Sequence, residues 1–268
     1  MIPSPRLPPI TVVMPSYQQA QFLKEALDSI LSQNYPKLEL IVVDGGSTDG
    51  SVEILKSYGD RIRWVSEKDQ GQSDALNKGF RMASHELLGW LNSDDLYEPE
   101  ALWIAGKFFS EHPVTMWAIG DCTIIDENGR EIRSWVSRYK AYRVKHFSYD
   151  ALLQENIVPQ MGVFFRKSTL EQAGMLDLSL HYSMDYDLWL RFAREWQPGF
   201  LNARIGKFRM YSSSKSMAAL NKQLAEGDRI VRKYANGRYW PLFLHHLNNI
   251  KITSVYWLLT LFMGKNPS

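Results

Sequence analysis

The chain carries one cysteine, Cys122, in 268 residues. An internal disulfide and a cysteine-based zinc cluster are therefore excluded, and a reducing compartment fits. Charge of one sign is also scarce. Lys and Arg number 31 against 29 Asp and Glu, a formal net charge of +2. That excess is too small to argue for nucleic acid as a partner. No glycine follows the first strand-like run. Pro15-Ser-Tyr-Gln-Gln19 stands where a dinucleotide fold places Gly-x-Gly-x-x-Gly, which counts against an NAD-type oxidoreductase. Long apolar runs are missing as well. The longest, Val255–Met263, falls short of the roughly 20 residues that cross a bilayer. The opening Met-Ile-Pro-Ser-Pro-Arg-Leu-Pro-Pro has no apolar core of the secretory kind. An extended lead-in and a cytoplasmic location are expected.

What is present is an ordinary globular composition, 45% hydrophobic and 22% charged. The first two-thirds alternates β-rich runs with helical spacing. Strands are expected at Ile10–Met14, Leu38–Val43, Arg61–Val65 and Leu87–Leu91. Helices are expected at 21–33, 52–57, 73–83 and 98–111. Repeated strand–helix units predict an α/β chain with a mainly parallel sheet covered on both faces. A hairpin is then expected, 116–125 turning at Asp126-Glu-Asn-Gly129 into 131–136. Further strands are expected at 161–165 and 200–208. Ser168-Thr-Leu-Glu171 has the form of a capping box for a short helix that Gly174 ends. Asp185 to Glu195 has helical spacing. Ser212–Ser216 reads as a polar loop, followed by helices at about 217–234 and 240–263.

Ligands of open parallel sheets sit beyond the carboxyl ends of the strands. Here those ends read Pro15-Ser-Tyr-Gln-Gln19, Asp44-Gly-Gly-Ser-Thr-Asp49, Glu67-Lys-Asp-Gln-Gly-Gln-Ser-Asp74 and Asn92-Ser-Asp-Asp95. The last raises a question. Two adjacent carboxylates after a buried strand repel and resist desolvation. They cap the next helix, or they hold a hard cation such as Mg²⁺ or Mn²⁺, which takes oxygen ligands. Four polar strand ends together favour the cation. Asp44 suits a ribose hydroxyl or a base N–H, or it opens the Gly45-Gly46 turn. Tyr17 stacks on a base or fills a helix–sheet seam.

The segments Thr11-Val-Val-Met-Pro-Ser-Tyr17, Glu39-Leu-Ile-Val-Val-Asp-Gly-Gly-Ser-Thr-Asp-Gly50, Asp69-Gln-Gly-Gln-Ser-Asp-Ala-Leu-Asn-Lys-Gly79, Trp90-Leu-Asn-Ser-Asp-Asp95 and Met184-Asp-Tyr-Asp-Leu-Trp-Leu-Arg191 resemble the family 2 glycosyltransferases. They are most similar to the branch that builds bacterial O-antigen and capsule polysaccharides. The resemblance runs over roughly residues 8 to 215, with the motifs in order. It implies the GT-A fold, a Rossmann-like, mainly parallel central sheet flanked by helices. It divides the chain into a catalytic domain, 1–216, and a C-terminal helical extension, 217–268.

It also implies an inverting transfer from a nucleotide-sugar donor with Mn²⁺ or Mg²⁺. Uridine is the favoured base, with guanosine and thymidine open. The acceptor it implies is a saccharide or lipid-linked saccharide. By the same resemblance Pro15, Ser16, Tyr17 and Gln18 line the nucleotide, and Asp44 contacts the base. Gly71, Gln72 and Asp74 lie near the nucleotide and donor sugar. Asn92 and Ser93 belong to the nucleotide site, with Asn92 placed at the ribose. Asp94 holds the metal, with Asp95 beside it as a second metal carboxylate, and Asp185 is the catalytic base. Asn92, Met184 and Tyr211 depart from the family pattern, where Asp, Glu and His are frequent. A nucleotide-sugar-binding module without turnover is therefore an alternative.

The C-terminal region sets Lys222, Arg229, Arg232, Lys233, Arg238 and Lys251 beside aromatic and leucine residues. The reading favoured is a helix pair packed on the catalytic domain or an oligomer contact. The alternative is an interfacial segment resting on an anionic membrane, the inner face of the plasma membrane.

Overall fold

The computed structural model describes residues 7–211 and 219–263, with side chains through Ser254. The expected loop Ser212–Ser216 and the side chains of Val255–Met263 lie outside the described residues. One sheet of eight strands runs in the order β3-β2-β1-β4-β7-β6-β8-β5. The strands are β1 Ile10–Ser16, β2 Leu38–Asp44, β3 Arg63–Ser66, β4 Leu87–Trp90, β5 Leu96–Tyr97, β6 Trp117–Ile125, β7 Val163–Arg166 and β8 Gly199–Arg209. β3, β2, β1 and β4 are parallel neighbours. β4–β7, β7–β6 and β8–β5 pair antiparallel, and β6–β8 is parallel with a bulged register. The sheet is thus mixed, with parallel order confined mostly to its first half.

All seven residues of β1 are buried. Helices cover both faces, so a central parallel strand reads as a continuous apolar run. Alternate side chains go to opposite faces. Val13, Ile41 and Val43 join one core with Leu76 and Phe80 of α3 (Gln72–Met82) and Trp189 of α8 (Met184–Glu195). Val12, Met14 and Val42 join the other core with α1 (Ala20–Leu31) and α4 (Ala101–Glu111). α2 (Ser51–Ser57) follows the Asp44–Gly50 loop.

The expected hairpin is not built. Its turn forms, with Gly129 at φ +79 and Gly129 N donating to Asp126 O. The returning strand ends after one bridge, Ile125 to Glu131. Arg133 then takes a left-handed conformation, and the chain becomes α5 (Ser134–Lys145), which packs on β6, with α6 (Tyr149–Gln154) after it. The capping box is not built either. In α7 (Lys167–Ala173) Ser168 Oγ donates to Glu86 Oε1 at 2.6 Å, a tie to the turn before β4. Gly174, at φ +88, does end that helix.

The last two helices are α9 (Leu220–Ala235) and α10 (Tyr239–Met263). α9 is no loose appendage, because Ile230 and Val231 are buried in the same core as Trp189 and Leu190. α10 packs against α6 and α9. Among the described residues no helix is long and apolar enough to cross a membrane.

Candidate active site

The loops after β1 and β2 are stapled together. Gln18 N donates to Ser47 Oγ, and the Gln18 amide exchanges hydrogen bonds with Thr48. Ala20 N donates to Asp49 Oδ2. Gln18 is therefore a brace, and Tyr17 is the side chain left projecting, 61% exposed. Pro15 and Ser16 are buried beneath it.

Asp44 requires a correction. It is fully buried, and both of its oxygens are engaged. Oδ2 accepts from Gly46 N, Ser47 N and Ser66 Oγ, and Oδ1 accepts from Ser47 Oγ at 2.5 Å. The turn uses the whole carboxylate, which leaves no oxygen facing a base. Asp74 is likewise engaged, accepting from Gln70 N and pairing with Lys78 at 3.4 Å. Gly71, at φ +111, shapes the turn into α3.

Asn92 is a hub rather than a free ribose ligand. Its Oδ1 accepts from Gln72 Nε2 and Trp90 Nε1, and its Nδ2 donates to Asp95 Oδ2 and Gln160 Oε1. An aspartate here would set a carboxylate oxygen against Asp95 in place of a donor. Ser93 is buried.

The two adjacent carboxylates part company. Asp95 is 1% exposed and turns inward, accepting from Arg209 N at 2.9 Å and from Asn92. It is an anchor, and the expected Asp94–Asp95 ligand pair is not formed. Nor do the two cap α4, which begins six residues beyond Asp95 at Ala101. Asp94 stays partly exposed, and Tyr211 Oη donates to its Oδ2 at 2.9 Å. Burial pushes the Asp94 carboxyl above the ordinary value, against the Tyr211 hydrogen bond. The same surroundings push the Tyr211 phenol up, first by burial and then by Asp94.

Asp185 opens α8. Asn156 Nδ2 donates to its Oδ2 at 3.2 Å, and burial raises its pKa. The segment after α6 joins this group to the β4 end, with Asn156 at Asp185 and Gln160 at Asn92. α9 fixes the start of α8 from the other side. Glu226, 8% exposed, accepts from His181 N, Tyr182 N and Ser183 N at 2.9, 2.7 and 2.6 Å. This is a charge-assisted cap delivered from a distant helix. Asp187 faces away from Asp185, held by Arg191 Nε and Tyr234 Oη. Met184 is core.

Sequence reasoning did not find Arg209, Gln160, Asn156 or Glu226. The one available signal was an arginine inside the apolar alternation of β8.

A divalent ion can be tested against these donors. Among the described residues no group of three or more His, Cys, Asp or Glu gathers. Asp94 is instead a single, firmly held carboxylate. It fits an ion whose other ligands come from diphosphate oxygens and water, the usual arrangement for Mg²⁺.

The profile of the Glycosyl transferase family 2 matches residues 11–170, more than half of the chain. The chain belongs to that family. It is a glycosyltransferase, and an uncharacterized glycosyltransferase of Rickettsia typhi is 30% identical to it over 225 residues, 80% of this chain and 68% of that one. Among solved structures, the mannosyltransferase PcManGT from Pyrobaculum calidifontis, in complex with GDP-Man and Mn²⁺, superposes with a TM-score of 0.65. It is 20% identical, and the match covers 96% of this chain and 81% of that one. S. aureus TarS 1-349 in complex with UDP-GlcNAc gives a TM-score of 0.60 at 17% identity, over 85% of this chain and 72% of that one. At these identities the structural matches speak for the GT-A fold of this glycosyltransferase.

Arg209→Met should test the anchor. Removing a buried guanidinium that holds several carbonyls costs on the order of 3 kcal/mol. A melting temperature lowered by roughly 5–10 °C is expected. A native melting curve would show that the turn stands without it.

Proposed function

We propose that this glycosyltransferase transfers a sugar with inversion from a nucleoside diphosphate donor, a UDP-sugar first, to a saccharide or lipid-linked saccharide acceptor. Its setting would be bacterial surface polysaccharide synthesis. The observation that carries the reading is the division of labour at the β4 end, where Asp95 anchors the turn and Asp94 is held by Tyr211, whose hydroxyl also accepts from Gln19 of the loop after β1. Ligands named for the structural neighbours, UDP-GlcNAc in one and GDP-Man with Mn²⁺ in the other, support the donor class.

In this reading Asp94 would hold Mn²⁺ or Mg²⁺. The bound ion would supply Lewis-acid stabilisation of charge developing on the diphosphate. Tyr211 orients Asp94 by its hydrogen bond. Tyr17 offers a face for the base. Asp185 takes the proton from the acceptor hydroxyl, which is a poor nucleophile until deprotonated. Asn156 holds the carboxylate in place, and Glu226 holds the helix end that carries it.

The sign of the pH effect follows from burial. Burial raises the Asp185 pKa in the folded chain, so its proton leaves at a higher pH than that of an exposed aspartate. The base works deprotonated, and turnover rises with pH through that raised value. Folding stability runs the other way: the contribution of this group is present at low pH and is lost as pH rises through the folded pKa.

α10 exposes Trp240, Phe243, Leu247 and Ile250 at helical spacing. This stripe supports a peripheral membrane contact as part of the proposal.

Thermal melting with UDP, GDP, dTDP and NAD, each with and without Mn²⁺, tests the donor. Stabilisation by a nucleoside diphosphate that grows with Mn²⁺ and disappears in Asp94→Ala is expected. Stabilisation by NAD without metal would sink the reading. Asp185→Asn should lower turnover by about 10² to 10⁴ and remove the acid limb of the rate profile, with melting unchanged or slightly raised at neutral pH. An unaltered profile would exclude Asp185 as the base. Flotation with anionic vesicles should recover the native chain and lose the Trp240→Ser, Phe243→Ser variant. Equal recovery would remove the membrane contact.

A further inference from the structure

With Asp44 sealed inside its turn, the exposed Tyr17 ring has another carboxylate beside it. Asp69 sits in the loop between β3 and α3. Its Oδ1 accepts from Gly71 N at 2.8 Å, and among the described residues no hydrogen bond to Oδ2 is formed. That second oxygen lies over Gly45. A Cβ built on Gly45 would be 2.8 Å from Asp69 Oδ2 and 3.2 Å from Tyr17 Cδ2. The carboxylate and the ring therefore converge on one point, and only the missing side chain of Gly45 leaves room for both. Gly45 N donates to Ser16 O, which fixes this point to the end of β1.

We infer that Asp69, not Asp44, reads the donor's base, and that it selects a base carrying a ring N–H. This rests on the proposal of a nucleoside diphosphate donor. A flat ring laid on Tyr17 would bring its edge to Asp69 Oδ2. A carboxylate only accepts. Uracil and thymine offer the N3–H, and guanine offers N1–H and the exocyclic amine. Cytosine and adenine carry an exocyclic amine that can donate, but the matching ring nitrogen presents a lone pair, which a carboxylate repels. The slot thus favours UDP, dTDP or GDP over CDP and ADP. Tyr17 contributes stacking, which every base shares.

Titration calorimetry of UDP, dTDP, GDP, CDP and ADP into the full chain with Mn²⁺ tests this. The native chain should bind at least one of the first three and bind CDP and ADP at least tenfold more weakly than that ligand. In Asp69→Asn the amide oxygen can keep the Gly71 bond while the amide nitrogen becomes a donor. Affinity for the preferred diphosphate should fall about 10- to 100-fold, the range of a charged hydrogen bond. CDP should hold or gain, so that the preference over CDP collapses. Tyr17→Ala should weaken all bases alike. Gly45→Ala should push Asp69 aside and lose the same preference, with melting curves confirming that each variant is folded. Asp69→Asn binding every diphosphate as the native chain does would overturn the assignment of Asp69 and leave the donor class standing. A native chain that binds no nucleoside diphosphate would overturn both.

Discussion

The site rests on a guanidinium that never meets solvent. The Arg209 side chain is fully buried at the end of β8, over the Phe22 ring at 4.6 Å. Its Nε donates to Asp94 O, its Nη1 to Asp126 O and Glu127 O, and its Nη2 to Glu25 Oε2 at 2.6 Å. Its backbone N–H goes to Asp95 Oδ1. One residue thus ties the turn after β4 to α1, to the turn after β6 and to the strand beside it. A buried cation is costly unless its donors are met, and here the fork geometry of arginine meets them. A lysine could not reach the same carbonyls in the same plane.

That anchor explains the paired carboxylates. Asp95 turns inward because Arg209 N and Asn92 Nδ2 both donate to it. Turned that way, it fixes the backbone that presents Asp94. Burial raises both pKa values, and the Asp94 charge adds to the rise at Asp95. The strain of like charges is eased by giving each a different partner, Tyr211 for one and Asn92 with the Arg209 backbone for the other. Asn92 also has a physical reason to be an amide: it must accept from two donors and donate to two acceptors at once.

Much of the parallel half of the sheet was legible because each strand–helix unit is local. Apolar runs of strand length, followed by 3- and 4-residue spacing, mark β1 to β4 and their helices within a few residues. The second half was less so. Residues 131–136 look like a returning strand, yet Arg133 at φ +51 sends the chain into α5, and no local pattern announces that. Site residues divide the same way. Asp94 and Tyr17 stand out because they project from strand ends. The occupation of Asp44 by Ser47 and Ser66 depends on how neighbouring loops meet, so composition could not show it. Glu226 lies 41 residues beyond Asp185, and the backbone amides it caps carry no sequence signature.

The distribution of these contacts along the chain bears on how the enzyme is built. Tyr17, Gly45, Asp69, Asn92 and Asp94 all fall inside the matched family region, 11–170. Asp185, Glu226, Arg209 and Tyr211 fall outside it, although Arg209 and Tyr211 hold Asp94. The end of α8 that carries Asp185 is capped from α9, and Asp187, one turn-edge away, is held by Tyr234 of that same helix. A carboxylate raised in pKa by burial is only as useful as its position is constant, since small movements change both solvent access and proton affinity. In the proposed role of Asp185 as base, the last helices act on the chemistry through the start of α8. A catalytic unit that stops at residue 216 would keep Asp185 while losing the carboxylate that caps its helix.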